Sequence, residues 1–132
     1  MSEILWISKE EALTMHALLL VEHGGSISVR DRALLESALA RPQNLVAYSD
    51  DPPGLTRLAA AYALGLARSP HFVDGNKSMA LVVSLTFLLV NGLKVTAPRE
   101  DRYFVFYDLA VGKLSEDELA QWLDVNTEPV SK

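Results

Sequence analysis

Cysteine is absent from the 132 residues, which excludes disulfides and thiolate metal sites. Positive charge is scarce. Twelve Lys and Arg stand against 17 Asp and Glu, for a net charge of −5. That balance argues against direct binding to a nucleic-acid backbone or an anionic membrane, and otherwise favours only solubility. A membrane-length apolar run is also missing. The most apolar stretch, Met79 to Val90, is too short to span a bilayer and contains Ser84 and Thr86. The N-terminus carries Glu3 early and lacks a basic region followed by an apolar run and a small-residue cleavage site. The expectation is a soluble, cytoplasmic protein. Repeats, low-complexity tracts and domain linkers are absent as well.

The remaining composition is that of a globular chain, with 49% hydrophobic and 22% charged residues. The length suits one domain with one core, expected over about residues 7–125, with a polar tail at 126–132. Helices dominate the pattern. Ser8 and Glu11 form a capping-box pair, apolar residues then recur at helical spacing through Leu13, Leu18, Leu19 and Val21, and Gly24-Gly25 stops the run. A second helix is predicted from Asp31 to Arg41, ended by Pro42. Residues Gln43 to Pro53 read as a flexible loop. An Ala- and Leu-rich helix is expected from about Leu55 to Arg68, and another from Asn76 to Asn91. The latter is apolar nearly all round, as a central buried helix would be. A short extended piece, Leu93 to Thr96, precedes helices at about Arg99 to Val111 and Ser115 to Val125. Ser115 and Glu118 make a second capping box, and the tail after Asn126 is expected to fray. The fold class is therefore all-α, a small single domain around one buried helix.

The segment His71-Phe72-Val73-Asp74-Gly75-Asn76-Lys77-Ser78 gathers an imidazole, a carboxylate, a carboxamide and an ammonium between two helices. Gly75 lets the backbone turn tightly and approach a ligand. The first N–H groups of a helix point outward and hold anions such as phosphate. Lys77 at a helix start opposes the macrodipole unless an anion is near, which tilts the reading towards an anion site. Plainer roles stay open: Asp74 as a helix N-cap, Asn76 as a turn stabiliser, His71 packed or facing solvent, and Arg68 reaching the loop or ending its helix. His16 and His23 read as structural or surface residues. A metal site from His16, His71 and Asp74 is not diagnosed by their spacing.

From about Ile7 to Asp124 the chain resembles the Fic/Doc family, and within it the small death-on-curing (Doc) toxins of bacterial toxin–antitoxin modules. The resemblance rests on His16, Gly24-Gly25, Val29-Arg30-Asp31 and Leu34-Leu35-Glu36-Ser37-Ala38-Leu39-Ala40-Arg41-Pro42. It continues through Phe72-Val73-Asp74-Gly75-Asn76-Lys77, Ala80-Leu81, Phe87 and Asn91-Gly92-Leu93. The family motif reads His-x-Phe-x-(Asp/Glu)-(Gly/Ala)-Asn-(Gly/Lys)-Arg. The resemblance implies a Fic/Doc-like helical bundle in which Phe72 anchors the loop. Asp74 would orient the reacting groups or bind Mg²⁺, and Gly75, Asn76, Lys77 and Ser78 would line the nucleotide phosphates. Lys at position 77 implies phosphate transfer from ATP or another nucleoside triphosphate rather than AMP transfer. It further implies elongation factor Tu as acceptor, a halt in translation, the loop Gln43 to Pro53 as a flap clamping the target, and an antitoxin whose disordered tail folds into a groove.

Two positions depart from the motif. Pro70 stands where the family has its catalytic His, and Ser78 where it has the closing Arg. Proline neither accepts a proton nor donates a hydrogen bond, and serine offers no charged fork for phosphate. His71, one residue late, is the candidate base. Three readings follow: a Doc-like phosphotransferase with impaired activity, a catalytically inactive Fic-fold protein that binds an antitoxin or other partner, and an unrelated helical interaction domain, which the coverage of the match opposes.

Overall fold

Capping residues set the frame of the fold. The computed structural model describes residues 3–26, 28–68 and 75–130. Among them the order is α1 (Lys9–His23), α2 (Arg32–Ala47), α3 (Leu55–Arg68), α4 (Asn76–Val90), β1 (Leu93–Val95), α5 (Arg99–Ala110), α6 (Glu116–Val125) and β2 (Thr127–Pro129). Ser8 and Glu11 cap α1 reciprocally, at 3.0 and 2.8 Å. The Ser8 N–H first, and its hydroxyl second, hold the Glu11 carboxyl below the usual value. Gly24, with φ +76°, closes α1 through its N–H to the Leu20 carbonyl. Asp31 caps α2 by accepting from the Leu34 N–H at 3.0 Å. Ser115 and Glu118 repeat the capping box at α6.

Two expectations need correction. Pro42 does not end α2. It lies buried inside the helix, which runs five residues further and closes when the Tyr48 N–H bonds the Asn44 carbonyl. A proline within a helix costs about 3 kcal/mol through its missing N–H and its clash with the preceding turn. Here Pro42 is buried and Leu45 and Val46 pack on the core. Complete burial of a Leu or Val side chain contributes roughly 1.5–3 kcal/mol, so the partial burial of Leu45 and Val46 offsets part of that cost. The expected loop at Gln43 to Pro53 is thus shorter, since its first five residues are helical. The tail after Asn126 is not frayed along its first residues. Thr127–Pro129 pair antiparallel with Leu93–Val95, with Lys94 opposite Glu128 and their side chains 3.3 Å apart. The Val130 N–H extends the ribbon to the Gly92 carbonyl.

The centre is the contact of α3 with α4. Leu58 through Ala63 and Leu66 on α3 are fully buried, as are Met79, Ala80, Val83, Ser84, Phe87 and Leu88 on α4. Alanine side chains on α3 allow close approach, and the Ser84 hydroxyl donates across the seam to the Ala59 carbonyl at 3.1 Å. On the other side of α3, Gly65 sits where a Cβ would lie 3.2 Å from the Ala38 Cβ, so α2 also packs tightly. Phe87 stacks on Trp6 at 5.8 Å and meets the Tyr62 ring at 5.1 Å. The Tyr62 hydroxyl accepts from the Ile7 N–H, and burial pushes its phenol above the usual value. Glu116, nearly buried, pairs with both Arg41 and Arg57 and so ties α6 to α2 and α3. No helix among the described residues is long and apolar enough to cross a membrane.

Phe87→Ala is expected to lower unfolding free energy by about 3–5 kcal/mol in urea titration, because the vacated space cannot close. Leu89→Ala, two residues on but 54% exposed, should change it by about 0.5 kcal/mol or less.

Candidate functional site

The start of α4 is built on a backbone conformation that only glycine adopts cheaply. Gly75 is the N-cap, at φ +89° and ψ 12°, with no side chain to cap the turn. The N-cap position belongs to Gly75. Gly75 is followed at once by Asn76, Lys77 and Ser78 in the first turn, so four of the residues expected at the site stand together. Lys77 and Ser78 are exposed. The first turn carries no acidic residue, so nothing on the helix itself offsets the Lys77 charge against the positive end of the dipole. His71 and Asp74, with Pro70 and Phe72, lie outside the described residues.

Three helices position this turn. From α1, the buried His16 and the side chain of Leu19 back it: a Cβ on Gly75 would lie 3.4 Å from both His16 Nε2 and Leu19 Cδ2. From α3, Arg68 donates through Nε to the Leu109 carbonyl at 3.1 Å, fastening the end of α3 to the end of α5. From α5, the Tyr107 ring lies beneath Lys77, with the ammonium 5.0 Å from the ring centroid. A pocket of about 150 Å³ opens beside Lys77 and Ser78, lined further by Leu81, Tyr103, Phe106 and Tyr107.

The sequence reading did not single out Tyr103 or Tyr107. Their signal was a spacing of four on a helix, the spacing that puts two side chains on one face. His16 was read as structural or surface. It is buried, and it touches the site turn. Arg68 serves the α5 terminus. Among the described residues no three His, Asp or Glu side chains gather to hold a metal. Chemically, the helix start can receive an anion at its backbone N–H groups, with the exposed Lys77 ammonium in the same turn.

Gly75→Ala tests the turn. The surrounding space would accept a methyl group at contact distance, but the dihedral would not. A loss of about 1–2 kcal/mol is expected in chemical denaturation. Gly54→Ala, with open space around it, should be neutral or slightly stabilising.

Comparison with known proteins places this geometry in context. Residues 6–88 match the Fic/DOC family. Toxin Doc of Mycolicibacterium smegmatis is 40% identical over 92 residues, covering 70% of this chain and 68% of that protein. Protein kinase doc of Escherichia phage P1 is 35% identical over 89 residues, covering 67% of this chain and 70% of that protein.

Proposed function

Because the chain belongs to the Fic/DOC family, we propose that it is a Doc-like toxin of a toxin–antitoxin module. In this reading it transfers the γ-phosphate of a nucleoside triphosphate to a hydroxyl of elongation factor Tu, slowly, because Pro70 and Ser78 replace the motif His and Arg. The observation that carries the reading is the start of α4. It offers a glycine N-cap without a capping side chain, no acidic residue in its first turn, and an exposed Lys77. That arrangement suits a phosphate chain. The names of the two relatives, a toxin and a protein kinase, point the same way.

The chemistry asks little covalent work of the protein. The acceptor oxygen attacks the γ-phosphorus, the bond to the β–γ bridging oxygen breaks, and the nucleoside diphosphate leaves. His71 takes the hydroxyl proton from a position one residue away from the motif base. Gly75, Asn76 and Ser78 hold the phosphates through the turn, and Lys77 neutralises charge on them. Mg²⁺ is commonly held by one or two carboxylates plus the substrate's own phosphates, and Asp74 would supply such a carboxylate. Bound there, Mg²⁺ would screen phosphate charge. The exposed segment after α2, beginning at Tyr48, is the flap that would meet the target; the helical Gln43 to Ala47 is its stem.

A second reading rests on a specific observation, the loss of the motif His and Arg, replaced by Pro70 and Ser78. It makes the chain a catalytically inactive Fic-fold protein that acts by binding an antitoxin, whose disordered tail would fold into a groove on its surface.

The purified protein, incubated with Mg²⁺, elongation factor Tu and ATP labelled at the γ or the α position, separates the readings. Transfer of γ-label is expected, falling roughly 10²–10⁴-fold in His71→Ala. Transfer of α-label would overturn the role given to Lys77. No transfer by the folded protein would favour the second reading.

A further inference from the structure

Three polar or charged side chains among the described residues are buried: His16, Ser84 and Glu116. Two of them have a structural task. Ser84 bonds across the α3–α4 seam, and Glu116 ties α6 to two arginines. His16 stands apart, because its ring abuts the turn at the start of α4. On α1 it lies one turn after Ala12 and one turn before Leu20, in a stripe that is otherwise apolar and buried. Burying an imidazole there carries a desolvation cost that a leucine would not. A break in an otherwise consistent apolar pattern points to a demand beyond packing.

The edge of the ring that meets the turn carries a nitrogen. A Cβ on Gly75 would lie 3.4 Å from His16 Nε2 and 3.5 Å from its Cδ2, with Leu19 Cδ2 at 3.4 Å. Gly75 itself is in the left-handed region, at φ +89°. Its carbonyl accepts the first ladder bond of α4, from the Met79 N–H at 2.9 Å. The N–H groups of Lys77 and Ser78 come before that bond and point out of the helix start. Their direction follows from where Gly75 holds the chain. We propose that His16 is a positioning residue for the phosphate donor. Its Nε2 edge, together with Leu19, fixes the Gly75 turn so that the first-turn N–H groups converge on a phosphate. The inference rests on the phosphate-donor reading above and adds a residue of α1 that acts from behind the turn. Side chains behind a site hold its geometry as much as those that touch the ligand. A misplacement of about 1 Å can cost up to roughly 100-fold. A rigid ring suits this task, because it sets a polar atom at one fixed reach.

Calorimetric titration of the whole protein with tripolyphosphate in Mg²⁺ tests this, with circular dichroism verifying that each variant is folded. Glutamine places an amide at the reach of Nε2, and asparagine only at the reach of Nδ1. His16→Gln should bind tripolyphosphate within about 3-fold of wild type. His16→Asn, equally polar but short of the turn, should bind roughly 10-fold more weakly, and His16→Leu at least as weakly. Should His16→Leu fail to fold, the comparison of Gln with Asn decides alone. A histidine that only packs predicts a different result: lower stability in every variant, with the affinity of the folded protein unchanged. That result would overturn the proposal while leaving the phosphate-donor reading standing. Equal weakening in His16→Gln and His16→Asn would overturn it too, since the reach of Nε2 would then not matter. Binding of no tripolyphosphate by wild type would overturn both.

Discussion

The packing of α3 against α4 is the constraint on which the rest of the structure depends. A run of six consecutive residues on α3, Leu58 to Ala63, is wholly buried, and four of the six are alanine. Small side chains bring the two backbones close enough for Ser84 to bond the Ala59 carbonyl. Large ones on α4, Phe87 and Met79, fill what remains. With its buried face fixed in this way, α4 cannot rotate without exposing that face. Its first turn, carrying Lys77 and Ser78, is held in one orientation as a consequence. A site at the head of a fixed helix loses little entropy on receiving a ligand, which is what preorganisation contributes to binding.

The peripheral elements complete the site from outside. α1 backs the Gly75 turn through His16 and Leu19. α5 supplies the aromatic wall, and Arg68 fastens α5 to the end of α3. α6 is tied to α2 and α3 through Glu116 and its two arginines. Breaking a buried ion pair costs far more than breaking an exposed one. Glu116 is nearly buried and the arginines are about one-third exposed, so this network belongs between those limits. The β1–β2 ribbon closes the end of the fold remote from the α4 start, where Gly92 turns the chain out of α4.

Much of this was legible in the sequence where local chemistry decides it. Both capping boxes, the bounds of α3, the start of α4 and the glycine turn at 75 follow from residues within a few positions of one another. What escaped depends on distant partners. Pro42 carries a local signal to stop, and burial of Pro42, Leu45 and Val46 overrides it. The tail becomes a strand because Leu93 to Val95 offers it an edge, a fact invisible in the tail's own polar composition. Tyr103 and Tyr107 gain meaning only when α5 lands beside Lys77, and His16 only when α1 lands behind Gly75. The loop residues that bear most directly on chemistry, His71 and Asp74, lie outside the described residues, so their roles rest on the motif.

The central claim is a phosphate seat that keeps Gly75, Asn76 and Lys77 without the motif Arg, beside a base displaced by one residue. Pro70 is the position that tests it. Measuring γ-phosphate transfer to elongation factor Tu by Pro70→His against wild type, both verified as folded, addresses the claim with one change. The account predicts that an imidazole at position 70 raises the rate above what the displaced His71 supports, by up to roughly 100-fold. A folded Pro70→His variant that transfers no faster than wild type would contradict it, because position 70 would then not be where a base assists transfer.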